Sequence, residues 1–198
     1  MVTEIARKLF TVHEYHKMAQ AGILREHDRV ELIDGEIIEL SPVGHPHWVC
    51  VNRATAVFTR SLGERAVVSI QNPVRLSDWT EPQPDAVVFK PRLDFYAGKR
   101  PTTEDVLFIV EVADSSLAYD SEVKLPRYAR AGIPEVWIED LRNEVLLVYR
   151  DPSEDNYSTF LTLHRGESIA PRAFPDVMIE IEDLLGDPFQ TGIDLVEK

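Results

Sequence analysis

Runs of apolar residues mark two strands at the middle of the chain. PDAVVF (84–89) and VLFIVEVA (106–113) are almost wholly apolar. Because apolar residues fall on both faces of such runs, they are typical of central strands that are covered on both sides. Earlier in the chain, Asp34-Gly35 separates RVELI from EIIEL. Since both turn positions of a tight hairpin need positive φ, this pair predicts an N-terminal β-hairpin.

Helical periodicity predicts the elements that cover these strands. A capping box at Thr11 and Glu14 opens a helix over about 12–21, and apolar spacing predicts another over 48–62. A third helix starts at Asp120 or Ser121 and ends near Gly132. Pro126 either kinks it or lies in its first turn. Further strands are predicted at 66–70, 134–140, 144–150 and 157–164, with a strand and a helical turn within 177–189.

One segment leaves two alternatives. PVRL (73–76) is either a separate strand after a Gln-Asn-Pro turn or the second half of one bent strand with 66–70. The element order predicts an α/β protein of the α+β type, in which helices pack on one mixed sheet. The chain is predicted to be a single domain over 1–198, with 1–9 as a flexible arm.

Charge and composition narrow the function classes. The chain has 198 residues and a net charge of −13, which argues against broad, sequence-independent DNA binding. The single Cys50 excludes internal disulfides and suits a reducing cytoplasm. We find no signal peptide, no membrane-spanning run, no GxGxxG, no GxxxxGK[ST], no GxSxG and no zinc-ligand spacing.

Three residues beside the two central strands suggest chemistry. Asp85 opens the first strand, Glu111 interrupts the second, and Lys124 follows on the third helix. A charge within a buried strand is costly unless it is paired or binds a metal. Two carboxylates can hold Mg²⁺ or Mn²⁺, and a lysine can orient water or stabilise developing negative charge. The alternative for Lys124 is an exposed lysine paired with Asp120.

Other candidates have simpler explanations. Period-two alternation predicts that Glu31, Glu36 and Glu39 lie mostly on a solvated face of the hairpin. We interpret His45 as an ordinary residue near a helix start, whereas His47 could face a site. The loop 90–105 interleaves basic and aromatic residues, so it is either a nucleic-acid surface or an ordinary solvated loop.

The motifs in their order resemble the Uma-two family of restriction-endonuclease-like proteins, within the PD-(D/E)xK nuclease superfamily. The resemblance runs from about Phe10 to Leu185. It rests on ELIDGEIIEL, HPHW, EPQPDAVVF, FIVEVADSS and YDSEVKLPRYARAGIPEVWIED. It implies a restriction-endonuclease-like core, usually in a homodimer.

The resemblance also implies site residues. Asp85 matches the Asp of the PD motif, and Glu111 matches the acid of the (D/E)xK strand. Ala113 stands where the lysine is expected, and the family pattern transfers that role to Lys124. Glu31 and His47 match a further acid and a helix-start histidine.

Two hypotheses follow. The first is a cytoplasmic, metal-dependent DNA endonuclease, in which Asp85 and Glu111 bind Mg²⁺ or Mn²⁺, with the Val112 carbonyl as a further possible ligand. In it Lys124 positions the attacking water, and Glu31 assists. The second is a non-catalytic nucleic-acid- or protein-binding member of the same fold, which the acidic charge favours.

Overall fold

The computed structural model describes residues 6–25 and 27–187, so part of the predicted arm at 1–9 lies outside the described residues. Helix α1 (Val12–Gln20) begins at the predicted capping box. The Thr11 hydroxyl accepts a hydrogen bond from the Glu14 backbone, and the Glu14 carboxylate accepts one from the Thr11 backbone. This pairing satisfies donors that the first helical turn leaves open.

The predicted hairpin is present, formed by β1 (Val30–Ile33) and β2 (Glu36–Glu39). Asp34 and Gly35 occupy the turn with φ of 49° and 81°. The predicted solvated face is wrong for Glu31, because that side chain is buried. Both faces of β1 are covered, since the successive residues Glu31, Leu32 and Ile33 are all buried. Its free edge bridges to Glu81 through Leu32, and the Glu31 carboxylate accepts the Gln83 backbone N–H.

A six-stranded sheet follows helix α2 (His45–Leu62), which begins three residues before the predicted start. Four of the five neighbouring pairs are antiparallel, and the fifth, β5 with β6, is parallel. The spatial order follows the chain order throughout. The strands are β3 (Val67–Ile70), β4 (Ala86–Phe89), β5 (Val106–Ala113), β6 (Glu135–Asp140), β7 (Val145–Ser153) and β8 (Asn156–Leu163).

The predicted strand at 73–76 is wrong in both of its forms. Pro73 has no N–H for a ladder, and the next residues bond within their own loop. The Val74 N–H donates to the carbonyl of Pro82, and the Leu76 N–H donates to that of Thr80. The segment therefore folds back on itself between β3 and β4.

The third predicted helix begins earlier and is not uniform. It consists of α3 (Leu117–Tyr119), a wide π-helical turn (Asp120–Lys124) and α4 (Leu125–Arg130). Pro126 lies in the first turn of α4, where proline is tolerated. The wide turn just before it accommodates the missing backbone bond, so the helix neither starts at Asp120 nor breaks at Pro126.

The tail adds a small second sheet and a last helix. Strands β9 (Ser168–Ile169) and β10 (Ile179–Glu180) pair antiparallel, and α5 (Ile181–Leu185) follows. The short strand and helical turn predicted at the tail are confirmed, and β9 was not predicted. Pro188 and Phe189 at the end of that prediction lie outside the described residues.

The central sheet is covered on both faces. On one face Phe58 of α2 packs against Phe108 and Trp137. On the other, Tyr128 of α4 lies in a core with Ile109 and Ile138. Among the described residues no helix is both long enough and apolar enough to cross a bilayer.

Candidate active site

Asp85 stands immediately before β4, beside the end of β5. The register pairs Ala86 with Val110, so its continuation by one residue brings Asp85 opposite Glu111. Oδ2 of Asp85 accepts the backbone N–H of Val112 at 2.9 Å and lies 3.1 Å from Nε2 of His47. Burial alone would raise the pKa of Asp85, but the bonds from His47 and Val112 lower it below its ordinary value. Asp85 is therefore held as a carboxylate.

Glu111 is buried in the middle of the site. Its Oε1 accepts hydrogen bonds from the Lys124 ammonium at 3.0 Å and from the Tyr128 hydroxyl at 2.5 Å. Burial raises the pKa of Glu111 to about 8, against the lowering effect of Lys124 and with the support of the nearby acids Asp120 and Asp85. Burial therefore favours the protonated form of this carboxyl group near neutral pH.

Lys124 lies in the π-helical turn and is 4% exposed, so it is not the exposed helix lysine of the alternative interpretation. Its Nζ is 3.0 Å from Glu111, 3.7 Å from Glu31 and 3.7 Å from Asp120. Burial opposes its charge, but these carboxylates outweigh burial and raise the pKa of Lys124 above its ordinary value. Lys124 therefore remains an ammonium group and cannot serve as a general base.

Glu31 contacts Lys124 but does not line the cavity at which Lys124 lies. Its Oε1 accepts the Tyr119 hydroxyl at 2.7 Å, and its Oε2 accepts the backbone N–H of Gln83 at 2.8 Å. The hydrogen bond to Glu31 and the burial of Tyr119 raise the pKa of that phenol, so it stays a donor. The hairpin is in this way tied to the π-helical turn through one carboxylate.

A cavity of about 430 Å³ brings these groups together. Asp85, Glu111, Lys124, His47 and Asp120 line it, whereas Glu31 reaches the site only through Lys124. Of the three acids and one lysine that the sequence singled out, Asp85, Glu111 and Lys124 therefore line one cavity at the end of the sheet, and Glu31 lies behind Lys124. His47 does face the site, through its contact with Asp85.

The loop 90–105 lies elsewhere. It follows the far end of β4, so about five residues of extended chain, roughly 17 Å, separate Lys90 from Asp85. Tyr96 and Arg100 line a second cavity, of about 870 Å³, on that side of the molecule. The loop can contact a long ligand of the site but not its reacting group.

Sequence reasoning missed three members of the site. Asp120 was considered only as a helix partner of Lys124, and Tyr119 and Tyr128 were not considered. Tyr119 and Tyr128 lie on opposite sides of the π-helical turn and bond Glu31 and Glu111. The DSEVKLPRY run carried a partial signal, because Pro126 forces an irregular helix, and irregular helices are frequent at functional sites.

The donor set suits a hard divalent cation. Four acids (Glu31, Asp85, Glu111 and Asp120) lie around one ammonium, and burial raises the pKa of two of them, Glu111 and Asp120, so a further positive charge would be favourable here. From the described residues, Oδ1 of Asp85 accepts only a 3.3 Å bond from Gln71, and no hydrogen bond reaches Oε2 of Glu111. Asp85 and Glu111 thus each have one oxygen that could bind a cation.

The protein supplies only part of a coordination sphere. Within 6–25 and 27–187 no group of three His, Cys, Asp or Glu side chains is arranged to hold a metal ion. Mg²⁺ characteristically binds one or two carboxylates and completes its shell with water and substrate phosphates. Two carboxylates at the floor of a cavity therefore fit Mg²⁺ better than they fit a closed structural metal site.

Comparisons with known proteins agree with this geometry. The family model Uma2, described as "Putative restriction endonuclease", matches residues 12–182. The crystal structure of "a putative nuclease belonging to DUF820" from Anabaena variabilis superposes with a TM-score of 0.70 at 17% identity, over 89% of this chain and 97% of that one. At this identity the likeness shows the restriction-endonuclease-like fold. A comparison with curated proteins finds no match.

Proposed function

The chain belongs to the Uma2 family, and from that premise we propose that it is a metal-dependent endonuclease that hydrolyses phosphodiester bonds of DNA. The observation that supports the proposal best is that the buried Glu111 and Lys124 and the partly buried Asp85 line one cavity. Buried acids that exceed their cationic partners are costly to a fold, so their retention favours a function.

The residues of the site have different roles in the proposed reaction. Asp85 and Glu111 would hold Mg²⁺ or Mn²⁺. When bound, such a cation polarises a phosphoryl oxygen and makes water more acidic. Lys124 stays charged, so it can orient the attacking water by donating to it and can stabilise the negative charge that develops on phosphate. Glu31 and Asp120 hold the ammonium in place.

His47 is a positioning residue in this scheme. It touches Asp85 and, through the start of α2, fixes how that carboxylate faces the cavity. A fixed ligand reduces the ordering cost of cation binding, and partners of this kind commonly affect metal affinity or activity about 10–100-fold.

The experiment is cleavage of supercoiled plasmid with Mg²⁺ or Mn²⁺, compared with EDTA. We expect cleavage only with the cation and at least about 100-fold slower cleavage by Asp85→Asn, which removes a ligand charge. Glu104→Gln is the matched control, because Glu104 is an exposed acid at the opposite end of β5. Equal rates for the protein and Asp85→Asn would overturn the proposal.

The acidic charge favours a second candidate, a non-catalytic nucleic-acid- or protein-binding member of the same fold. A net charge of −13 weakens the phosphate contacts on which turnover of DNA depends. The same plasmid assay separates the two candidates. DNA binding without cleavage under any divalent cation would favour the binding protein.

A further inference from the structure

Two aromatic rings are exposed at the start of α2. Trp48 is 59% exposed, and its ring centroid lies 6.1 Å from that of the exposed His45, with the two planes inclined by 31°. An exposed tryptophan is a large apolar surface that the fold does not cover. The pair thus presents two neighbouring, tilted aromatic rings to solvent.

This pair lies at the rim of the candidate active site. His47, between the two rings in sequence, contacts Asp85, and the preceding Val43 and Gly44 line the same cavity. The first turn of α2 therefore carries both the active-site contact of His47 and the two exposed rings, one and two residues away from it in sequence.

The charge of the cavity decides what these rings can bind. Lys124 is already surrounded by three carboxylates, and the Arg29 guanidinium in the cavity wall donates to the carbonyl of Ser41. Asp85 and Asp114 also line the cavity. Phosphates therefore gain little from this surface, so a nucleic acid that binds here needs a contribution that does not depend on phosphate charge.

Stacking of bases supplies such a contribution, because every base has a π face and stacking does not require a positive groove. Paired bases in a duplex are stacked on each other and do not present their faces. We propose, resting on the nuclease function proposed above, that Trp48 and His45 form a stacking platform for an unpaired base. The site thus prefers single-stranded or frayed DNA beside the scissile phosphate.

The test is binding of a short oligothymidylate and of a duplex of equal length, with Ca²⁺ in place of Mg²⁺. Binding is followed by fluorescence anisotropy of the DNA and by tryptophan emission. We expect tighter binding of the single strand, quenching of Trp48, and at least about a 5-fold loss of affinity in Trp48→Ala. Trp48→Phe keeps an aromatic face and retains most of the affinity.

Trp79→Phe is the matched control, since Trp79 is 45% exposed and lies beside the turn of the β1–β2 hairpin, where its carbonyl accepts the Gly35 N–H. This variant should bind as the unmodified protein does and should keep the quenching signal. Trp137 is buried and contributes a constant background.

Three results would overturn the platform: equal affinity in Trp48→Ala, equal or tighter binding of the duplex, or no binding of the single strand. A dimer that dissociates in Trp48→Ala would assign the rings to contact between two copies of the chain and would also overturn it. These failures are separable from failure of the nuclease function, which plasmid cleavage by the protein and Asp85→Asn measures without reference to Trp48.

Discussion

At the scale of single residues, Lys124 has the most demanding surroundings. Its ammonium is held by Glu31, Glu111 and Asp120 while it is 4% exposed. Such a group has two roles at once, because it balances buried negative charge and faces a cavity in which phosphate chemistry is proposed. Substitution therefore affects stability as well as catalysis, and the two effects have to be measured separately.

We expect Lys124→Met to abolish plasmid cleavage while divalent cation binding persists. Without a cation, the three carboxylates lose their partner, and the free energy of unfolding should fall by about 3–5 kcal/mol. Added Mn²⁺ should raise the melting temperature of the variant more than that of the protein, since the ion restores positive charge. Cleavage by Lys124→Met at the unmodified rate would remove Lys124 from the active site.

Glu139 is the other unusual residue. It is fully buried on β6, neither oxygen has a hydrogen-bond partner among the described residues, and burial raises its pKa to about 8, with a smaller contribution from Asp85. In the unfolded chain this carboxyl group ionises near its ordinary value of 4.5. Between these two values the folded protein keeps a proton that the unfolded chain loses, so stability falls as pH rises.

Glu139→Gln should therefore stabilise the protein more at pH 9 than at pH 5, by on the order of 2 kcal/mol. Urea unfolding of the protein and the variant at both pH values gives this difference. Glu104→Gln, at an exposed position, should show no such dependence. A gain that is the same at both pH values would mean that Glu139 does not titrate in this range.

At the scale of elements, the helices, strands and turns that were predicted correctly are those whose deciding residues lie close together in sequence. Strand β5 occupies the predicted range of VLFIVEVA, because a short run that is apolar at every position except Glu111 is typical of a strand covered on both faces. The α1 capping box and the Asp34-Gly35 turn were equally predictable, since their contacts lie within four residues.

Elements that depend on distant partners were predicted less well. Alternation placed Glu31 in solvent, but Gln83 and Tyr119, 52 and 88 residues away, cover it. The apolar residues of 73–76 suggested a strand. In the structure the Val74 and Leu76 N–H groups instead donate to the carbonyls of Pro82 and Thr80, so the segment is a loop. The pairing of Asp85 with Glu111 was predictable from two strands, but the carboxylate shell of Lys124 needed the hairpin and the π-helical turn together.

The loop 90–105 gives a prediction at this scale. It lies away from the cavity, so it can affect DNA binding but not the chemical step. Replacement of the exposed Lys99 and Arg100 by Ala should weaken DNA binding at low salt and lower the slope of log affinity against log salt by about 1–2. The double replacement of the exposed Lys17 and Arg60 by Ala is a control that removes the same charge elsewhere on the surface. Unchanged DNA binding in the loop variant would show that the loop is only a solvated connection.

At the scale of the whole molecule, a net charge of −13 has to be reconciled with the proposed cleavage of DNA. Duplex DNA is repelled by most of such a surface, so affinity depends on a few contacts, and a bound divalent cation at the cavity would be the strongest of them. The homodimer that the family resemblance implies stays a prediction. A dimer could place one cavity at each strand of a DNA duplex. Light scattering of the purified protein measures the mass of the particle in solution and so tests for the dimer.

The most direct test of the candidate site is the stoichiometry of Mn²⁺ binding, counted by the electron paramagnetic resonance signal of the unbound ion. We predict that the protein binds Mn²⁺ at the Asp85–Glu111 pair, that Asp85→Asn and Glu111→Gln each abolish this binding, and that Lys124→Met and Glu104→Gln retain it. Folded Asp85→Asn and Glu111→Gln proteins that bind Mn²⁺ as tightly as the unmodified protein would contradict a metal site at these carboxylates.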